Sequence, residues 1–228
     1  MEITQEEIDQ LVAAIDYSEA LTVDASQDDV VKACGHGKQY GFRAVVVFPH
    51  HLPLVVEQLQ GTSVLAQIAV GFPGGGHTTY VKCKEAEEGL QAGARDLDMV
   101  MNIGAFKSGD YKAVQRDIAE VVAVAQPFGV PKKVIVEVGL LSEEEKATAA
   151  KLVADSGADF IKTCTGFAPG KATLHDIMLF QRLVGDRLRI KASGGVASIE
   201  DGVAFMRAGA SVVAMRGMLV DQLRAMNR

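Results

Sequence analysis

Residues 157–167 read Gly-Ala-Asp-Phe-Ile-Lys-Thr-Cys-Thr-Gly-Phe. The apolar, β-branched centre of this stretch predicts a short strand that follows Gly157-Ala158 and ends in a loop at Thr165-Gly166. Lys162 lies in the middle of this strand, where burial penalises the charge of an ammonium group. Strand alternation places Phe160 and Lys162 on one face. Lys162 therefore either extends to solvent from the strand end or takes part in the chemistry of a site.

A dipeptide that begins with glycine stands between a predicted helix and a predicted strand at four places, which are Gly41-Phe42, Gly93-Ala94, Gly157-Ala158 and Gly209-Ala210. Glycine suits the left-handed position that ends a helix. The fifth residue past each glycine lies in mid-strand, and these residues are Val46, Asp98, Lys162 and Ala214. If the four units are equivalent, these side chains point the same way.

Strand and helix signals alternate about eight times along the chain, without a linker or a low-complexity segment. Helices are predicted at residues 4–15, 26–40, 55–61, 79–91, 111–125, 143–155, 174–184, 199–207 and 218–226. Besides the strand around Lys162, strands are predicted at residues 16–18, 44–48, 64–70, 96–102, 133–138, 188–192 and 211–215. This order predicts an α/β fold, a single (β/α)₈ TIM-barrel domain over residues 1–228 with a short N-terminal helix. A doubly wound open sheet is the alternative.

The bulk composition limits the classes of partner. The formal net charge of −6 over 228 residues disfavours nucleic acid and anionic membranes. No apolar run approaches a membrane span, and residues 1–7 are polar and acidic, unlike a signal peptide. The scattered cysteines Cys34, Cys83 and Cys164 form no Cys-x-x-Cys pair, which is typical of reduced thiols. We therefore expect a cytoplasmic enzyme with neither a nucleic-acid nor a membrane partner.

The fourth predicted strand orients the barrel. Leu97, Met99 and Met101 form an apolar face, which must pack on the helices, so the opposite face with Asp96 and Asp98 points inward. The fifth, sixth and seventh predicted strands alternate in the same way. Their alternation predicts that four ionisable side chains converge in the interior, namely Asp98, Glu137, Lys162 and Lys191.

Two lysines in one desolvated cavity repel each other, so one of them is partly a neutral amine near neutral pH. A neutral amine attacks an aldehyde or ketone to form an iminium, which promotes cleavage or formation of a carbon–carbon bond. A nearby carboxylate transfers the protons that these steps require. Lys162, Lys191 and Asp98 fill these three roles, and either lysine is a candidate nucleophile.

Several motifs resemble those of the deoxyribose-phosphate aldolase family across nearly the whole chain. The stretch Lys162 to Phe167 is similar to the family's Lys-Thr-Ser-Thr-Gly-Phe, with Cys164 in place of the serine. The other similar segments are 93–100, 134–137, 190–196, the loop Gly71-Phe72-Pro73, and Lys82 with Glu85.

The resemblance implies a class I aldolase, an aldehyde-lyase of carbohydrate catabolism that cleaves 2-deoxy-D-ribose 5-phosphate reversibly to acetaldehyde and D-glyceraldehyde 3-phosphate. It implies that Lys162 forms the Schiff base, that Lys191 lowers its pKa, and that Asp98 is the acid/base. It also implies sugar-phosphate and aldehyde substrates and no cofactor. A homodimer is one candidate assembly, although the sequence does not determine the oligomeric state. No metal site is expected at the loop histidines, which are His50, His51 and His77.

Two functions remain as alternatives. One is a related Schiff-base aldolase that acts on a different phosphorylated, acidic or unphosphorylated aldol. The other is a barrel that binds or isomerises a sugar phosphate without covalent catalysis.

The predicted substrate and phosphate site combines the resemblance with backbone chemistry. Gly194 and Gly195 lie in a loop after the seventh strand, where successive N–H groups can bind an anion. The predicted contacts are Asp16, Ser18, Gly166, Phe167, Gly194, Gly195 and Arg216, with Lys171 at the same rim. The family usually has Gly-Thr-Ser or Gly-Ser-Ser after strand eight, whereas this chain has Ala214-Met215-Arg216-Gly217. We expect Arg216 to supply the contact that the missing hydroxyls would make.

Overall fold

The computed structural model describes residues 2–226, and within them eight parallel strands close into a barrel in sequence order. The strands are β1 (Ile15–Tyr17), β2 (Ala44–Val47), β3 (Leu65–Val70), β4 (Asp96–Val100), β5 (Lys132–Ile135), β6 (Phe160–Lys162), β7 (Arg189–Ala192) and β8 (Val212–Met215). Strands β8 and β1 close the ring, with the Cα atoms of Asp16 and Ala214 in register. The predicted TIM barrel is confirmed, and the open sheet is excluded.

Helices connect the strands and form the outer layer. They are α1 (Gln5–Ala13), α2 (Gln27–Tyr40), α3 (Leu52–Gln58), α4 (Thr79–Gln91), α5 (Ile103–Lys107), α6 (Tyr111–Ala125), α7 (Glu143–Asp155), α8 (Leu174–Val184), α9 (Ile199–Arg207) and α10 (Met218–Ala225). The capping boxes of Thr4 with Glu7, Ser26 with Asp29 and Ser142 with Glu145 start α1, α2 and α7. These local signals explain why the helix starts were predictable.

The two faces of the strands pack in two separate apolar regions. Leu97, Met99 and Met101 belong to the large cluster between sheet and helices. Val46 and Val100 belong to a smaller cluster inside the barrel. The acidic face of β4 therefore points inward, as predicted from the alternation.

Strands β4 and β5 end earlier than the sequence pattern indicates. Asn102, predicted to end the fourth strand, instead caps the unpredicted helix α5 by accepting a hydrogen bond from Ala105 N at 3.0 Å. After β5, Glu137 adopts a φ of 54°, and a 3₁₀ turn follows at Val138–Leu140. Within residues 2–226, no helix is long and apolar enough to cross a membrane.

Candidate active site

Three interior side chains meet at Asp98 near the C-terminal ends of the strands. Asp98 Oδ2 lies 2.7 Å from Lys162 Nζ and 2.7 Å from Lys191 Nζ. Lys162 is only 3% exposed, and the other two side chains are fully buried. The three residues expected to carry the chemistry are thus in direct contact.

The two lysines have different neighbours. Lys191 Nζ also lies 2.5 Å from Asp16 Oδ2, so two carboxylates surround it. Among the contacts of the described residues, Lys162 pairs with Asp98 alone. Lys191 is therefore better stabilised as an ammonium ion than Lys162, a distinction that strand alternation does not provide.

The pKa values follow this asymmetry. Burial lowers the pKa of Lys162 to about 8; the Asp98 carboxylate opposes this shift and the Lys191 ammonium adds to it. Burial also acts against the charge of Lys191, but the carboxylates of Asp16, Asp98 and Asp96 outweigh it and raise the Lys191 pKa. Burial disfavours the Asp98 carboxylate, yet Lys162, Lys191 and Lys133 hold its pKa well below its usual range. Near neutral pH the site thus contains one charged lysine, one partly neutral lysine and an ionised carboxylate.

Asp16 was predicted to contact substrate, and the structure places it below the reacting groups. Its carboxylate is fully buried and lies 2.5 Å from Arg43 Nη1 and 2.5 Å from Lys191 Nζ. Asp16 is therefore positioned to hold Lys191 charged rather than to line the mouth of the barrel.

Sequence reasoning missed three interior polar residues, which are Arg43, Gln67 and Lys133. It predicted the inward direction of Asp96 but not its pairing with Arg43 and Lys133. Gln67 Nε2 donates to Asp98 Oδ1 at 2.5 Å and fixes the carboxylate. Lys133 is fully buried and pairs with Asp96, and its Nζ lies 3.4 Å from Asp98 Oδ1. Lys133 was detectable, because its outward neighbour Val134 implies that Lys133 faces inward.

Glu137 does not join the lysines, so that prediction is wrong. With β5 ended at Ile135 and a φ of 54° at Glu137, the side chain turns toward the loop after β6. Its Oε2 accepts a hydrogen bond from Thr165 N at 3.1 Å and another from Thr165 Oγ1. Glu137 thus holds the loop that leads to Gly166.

Five of the predicted substrate-site residues line one cavity of about 340 Å³ at the mouth of the barrel, namely Ser18, Gly166, Gly194, Gly195 and Arg216. Lys171 lines it as well, and no carboxylate side chain of residues 2–226 does. Gly194 and Gly195 have positive φ values of 95° and 77°, which favour glycine. Ser18 Oγ donates to Met215 O at 3.3 Å. The structure therefore brings these five predicted residues together in a cavity lined by the cations of Arg216 and Lys171, whereas Asp16 and Phe167 lie outside its lining.

Phe167 lies beside this cavity rather than in its lining. Its ring centroid is 5.1 Å from that of Phe72 and 6.4 Å from that of Phe48. The Arg216 guanidinium lies 5.8 Å from the Phe167 centroid. Phe167 thus lies between the aromatic rings of Phe48 and Phe72 and the guanidinium of Arg216.

A closed (β/α)₈ barrel that buries two lysines around one carboxylate is the architecture of a barrel aldolase. The chain belongs to the DeoC/LacD family of aldolases, whose family model matches residues 10–221. The family resemblance inferred from the motifs is thereby confirmed.

The chain is similar to a deoxyribose-phosphate aldolase from Thermococcus gammatolerans, with 46% identity over 82% of this chain and 84% of the relative. The corresponding protein of Aciduliprofundum boonei is 42% identical over 89% of this chain and 90% of its own length. Among solved structures, the aldolase QR15 is 33% identical, with a TM-score of 0.88 over 95% of this chain and 97% of its own. The tetrameric deoxyribose phosphate aldolase from Aeropyrum pernix is 28% identical, with a TM-score of 0.84 over 99% of both chains.

Proposed function

We propose that the protein is a class I aldolase that cleaves 2-deoxy-D-ribose 5-phosphate to acetaldehyde and D-glyceraldehyde 3-phosphate through a Schiff base on Lys162. The proposal rests chiefly on the unequal neighbours of the two lysines. Lys191 pairs with two carboxylates and Lys162 with one, so Lys162 is the amine that becomes neutral first. The names of the relatives support the choice of substrate.

The first half of the reaction forms the iminium. Neutral Lys162 attacks the C1 aldehyde, and the resulting carbinolamine loses its oxygen as water after protonation. Asp98 Oδ2 lies 2.7 Å from both amines, so it can exchange protons between Lys191 and the reacting centre. The charged Lys191 provides the proton that the leaving water requires.

The second half cleaves the carbon–carbon bond. A base removes the proton of the C3 hydroxyl, the C2–C3 electron pair moves into the iminium, and glyceraldehyde 3-phosphate leaves. The enamine that remains is protonated at C2, and water then hydrolyses the new iminium to release acetaldehyde. We assign the proton transfers to Asp98, directly or through water, because it is the carboxylate in contact with Lys162.

The mouth cavity is proposed to bind the 5-phosphate. Among residues 2–226, the N–H groups of Gly194 and Gly195 donate to no protein acceptor. Over the same range, the side chains of Arg216 and Lys171 have no ion-pair partner. Unsatisfied donors and unpaired cations beside one cavity favour an anion.

A second candidate is an aldolase whose substrate carries a carboxylate instead of a phosphate. The observation that favours it is Arg216 at the end of β8, because a guanidinium binds either anion in a bidentate manner. The formation of a Schiff base on Lys162 and the cleavage of a carbon–carbon bond would be the same for this substrate.

Cleavage assays with a substrate panel test the proposal. We expect acetaldehyde release from 2-deoxyribose 5-phosphate with a far higher kcat/KM than from unphosphorylated 2-deoxyribose. A preference for a carboxylate-bearing aldol would favour the second candidate. Absence of carbon–carbon cleavage with every aldol would contradict both and favour a non-covalent barrel.

A further inference from the structure

Three charged residues lie beneath the reacting lysine, toward the N-terminal ends of the strands. We call Arg43, Asp96 and Lys133 the barrel floor. Arg43 Nη1 lies 2.5 Å from Asp96 Oδ2 and 2.5 Å from Asp16 Oδ1, and Lys133 pairs with Asp96. The floor is therefore one connected ionic cluster, and the mechanism above does not use it.

The floor connects to the reacting groups through two carboxylates. Lys133 Nζ lies 3.4 Å from Asp98 Oδ1, while the other oxygen of Asp98 contacts Lys162. Arg43 binds Asp16, which in turn binds Lys191. A single carboxylate thus connects each lysine at the reacting centre to a residue of the barrel floor.

The charged groups of the buried ionic cluster that includes Lys162 can be counted strand by strand. They are Asp16 on β1, Arg43 before β2, Asp96 and Asp98 on β4, Lys133 on β5 and Lys191 on β7. Strand β3 contributes the neutral Gln67, and β8 (Val212–Met215) contributes no charged side chain. Arg189 of β7 is exposed, 4.1 Å from the centroid of the Phe160 ring.

The cluster is electrically neutral only when one amine is neutral. Three carboxylates, Asp16, Asp96 and Asp98, face three cations besides Lys162, which are Arg43, Lys133 and Lys191. Protonation of Lys162 adds a fourth cation without a fourth carboxylate. A buried charge in excess is costly, and Lys162 has the fewest carboxylate neighbours of the four, so it is the group that gives up its proton.

We propose that the barrel floor of Arg43, Asp96 and Lys133 is a set of positioning residues whose charge balance sets the pH at which Lys162 gives up its proton. This inference rests on the proposed Schiff-base function. It extends that function by assigning a role to three residues that the proposed mechanism does not use.

The test measures the pH at which Lys162 is half reactive. Wild type and variants are incubated with acetaldehyde and borohydride across pH, and the adduct on the Lys162 peptide is quantified by mass spectrometry. Asp96→Asn removes a negative charge, so the midpoint should move to lower pH. Arg43→Met and Lys133→Met each remove a positive charge, so the midpoint should move to higher pH. A unit charge several ångströms away at an effective dielectric of about 20 corresponds to a shift on the order of one pH unit.

The double variant Asp96→Asn with Arg43→Met restores the charge count, and its midpoint should return close to that of the wild type. Circular dichroism and thermal unfolding identify the variants that fold, and Arg43, whose side chain is 18% exposed, is the position most tolerant of change. Damage to the fold alone would lower the extent of trapping without moving midpoints in opposite directions. Shifts of one sign, or no shift in the folded single variants, would overturn the inference while adduct at Lys162 preserved the proposed function. Absence of wild-type adduct at Lys162 would overturn both.

Discussion

Replacement of Lys191 by methionine tests how strongly one lysine determines the protonation of the other. Both nitrogen atoms lie 2.7 Å from Asp98 Oδ2, so they are at most about 5.4 Å apart. At an effective dielectric of about 20, two unit charges at that distance repel by about 3 kcal/mol, which equals about two pKa units. The change also leaves Asp16 less neutralised, which acts in the same direction. We therefore expect the pKa of Lys162 to rise from about 8 toward about 10 in Lys191→Met.

The assay is the pH profile of kcat/KM for 2-deoxyribose 5-phosphate cleavage. The amine reacts in its neutral form, so activity should rise with pH through the Lys162 pKa, and this rise should shift by at least one pH unit upward in Lys191→Met. At neutral pH the neutral fraction, and with it the rate, should fall by a factor on the order of 100. Lys132→Met is the matched control, because Lys132 is on β5 but pairs with Asp159 at 2.9 Å. If the rise in activity occurred at the same pH as in the wild type, or at lower pH, the proposed role of Lys191 would be refuted.

Three other substitutions test the remaining parts of the account. Asp98→Asn should reduce kcat by a factor of about 10² to 10⁴ with little change in KM, because it keeps the shape of the side chain but cannot take up protons; near-normal turnover would exclude Asp98 as the acid/base. Arg216→Ala should raise the KM for 2-deoxyribose 5-phosphate about tenfold or more, since a hydrogen bond to a charged group is worth about 1.5–3 kcal/mol; an equal effect on unphosphorylated 2-deoxyribose would contradict the phosphate contact. Ser26→Ala removes the cap of α2, which accepts from Asp29 N at 3.2 Å, and should destabilise the protein by about 1 kcal/mol. Urea unfolding measures this loss, and an unchanged midpoint would show that the cap is dispensable.

Local signals account for the parts of the fold that the sequence predicts well. Helices α4, α6, α7, α8 and α9 begin and end at the predicted residues. Capping side chains and the spacing of apolar residues act within a few positions of one another, so they are readable without the tertiary structure. The inward direction of Asp98 and Lys162 is likewise a consequence of alternation along a single strand.

The unpredicted features depend on contacts that form only when the barrel closes. Arg43 binds Asp16 and Asp96, which are 27 and 53 positions away in the sequence. The two carboxylates around Lys191 come from β1 and β4, and only their joint presence distinguishes Lys191 from Lys162. Glu137 departs from alternation because its backbone leaves the extended region, with a φ of 54°.

Reductive trapping tests the Schiff base on Lys162 most directly. The protein is incubated with acetaldehyde and borohydride, digested, and mapped by mass spectrometry, with Lys162→Met and Lys191→Met treated in parallel. We expect an added ethyl group on the peptide that contains Lys162, retained in Lys191→Met at sufficiently high pH and lost in Lys162→Met. An adduct that maps to Lys191, or one that persists unchanged in Lys162→Met, would show that Lys162 is not the Schiff-base lysine.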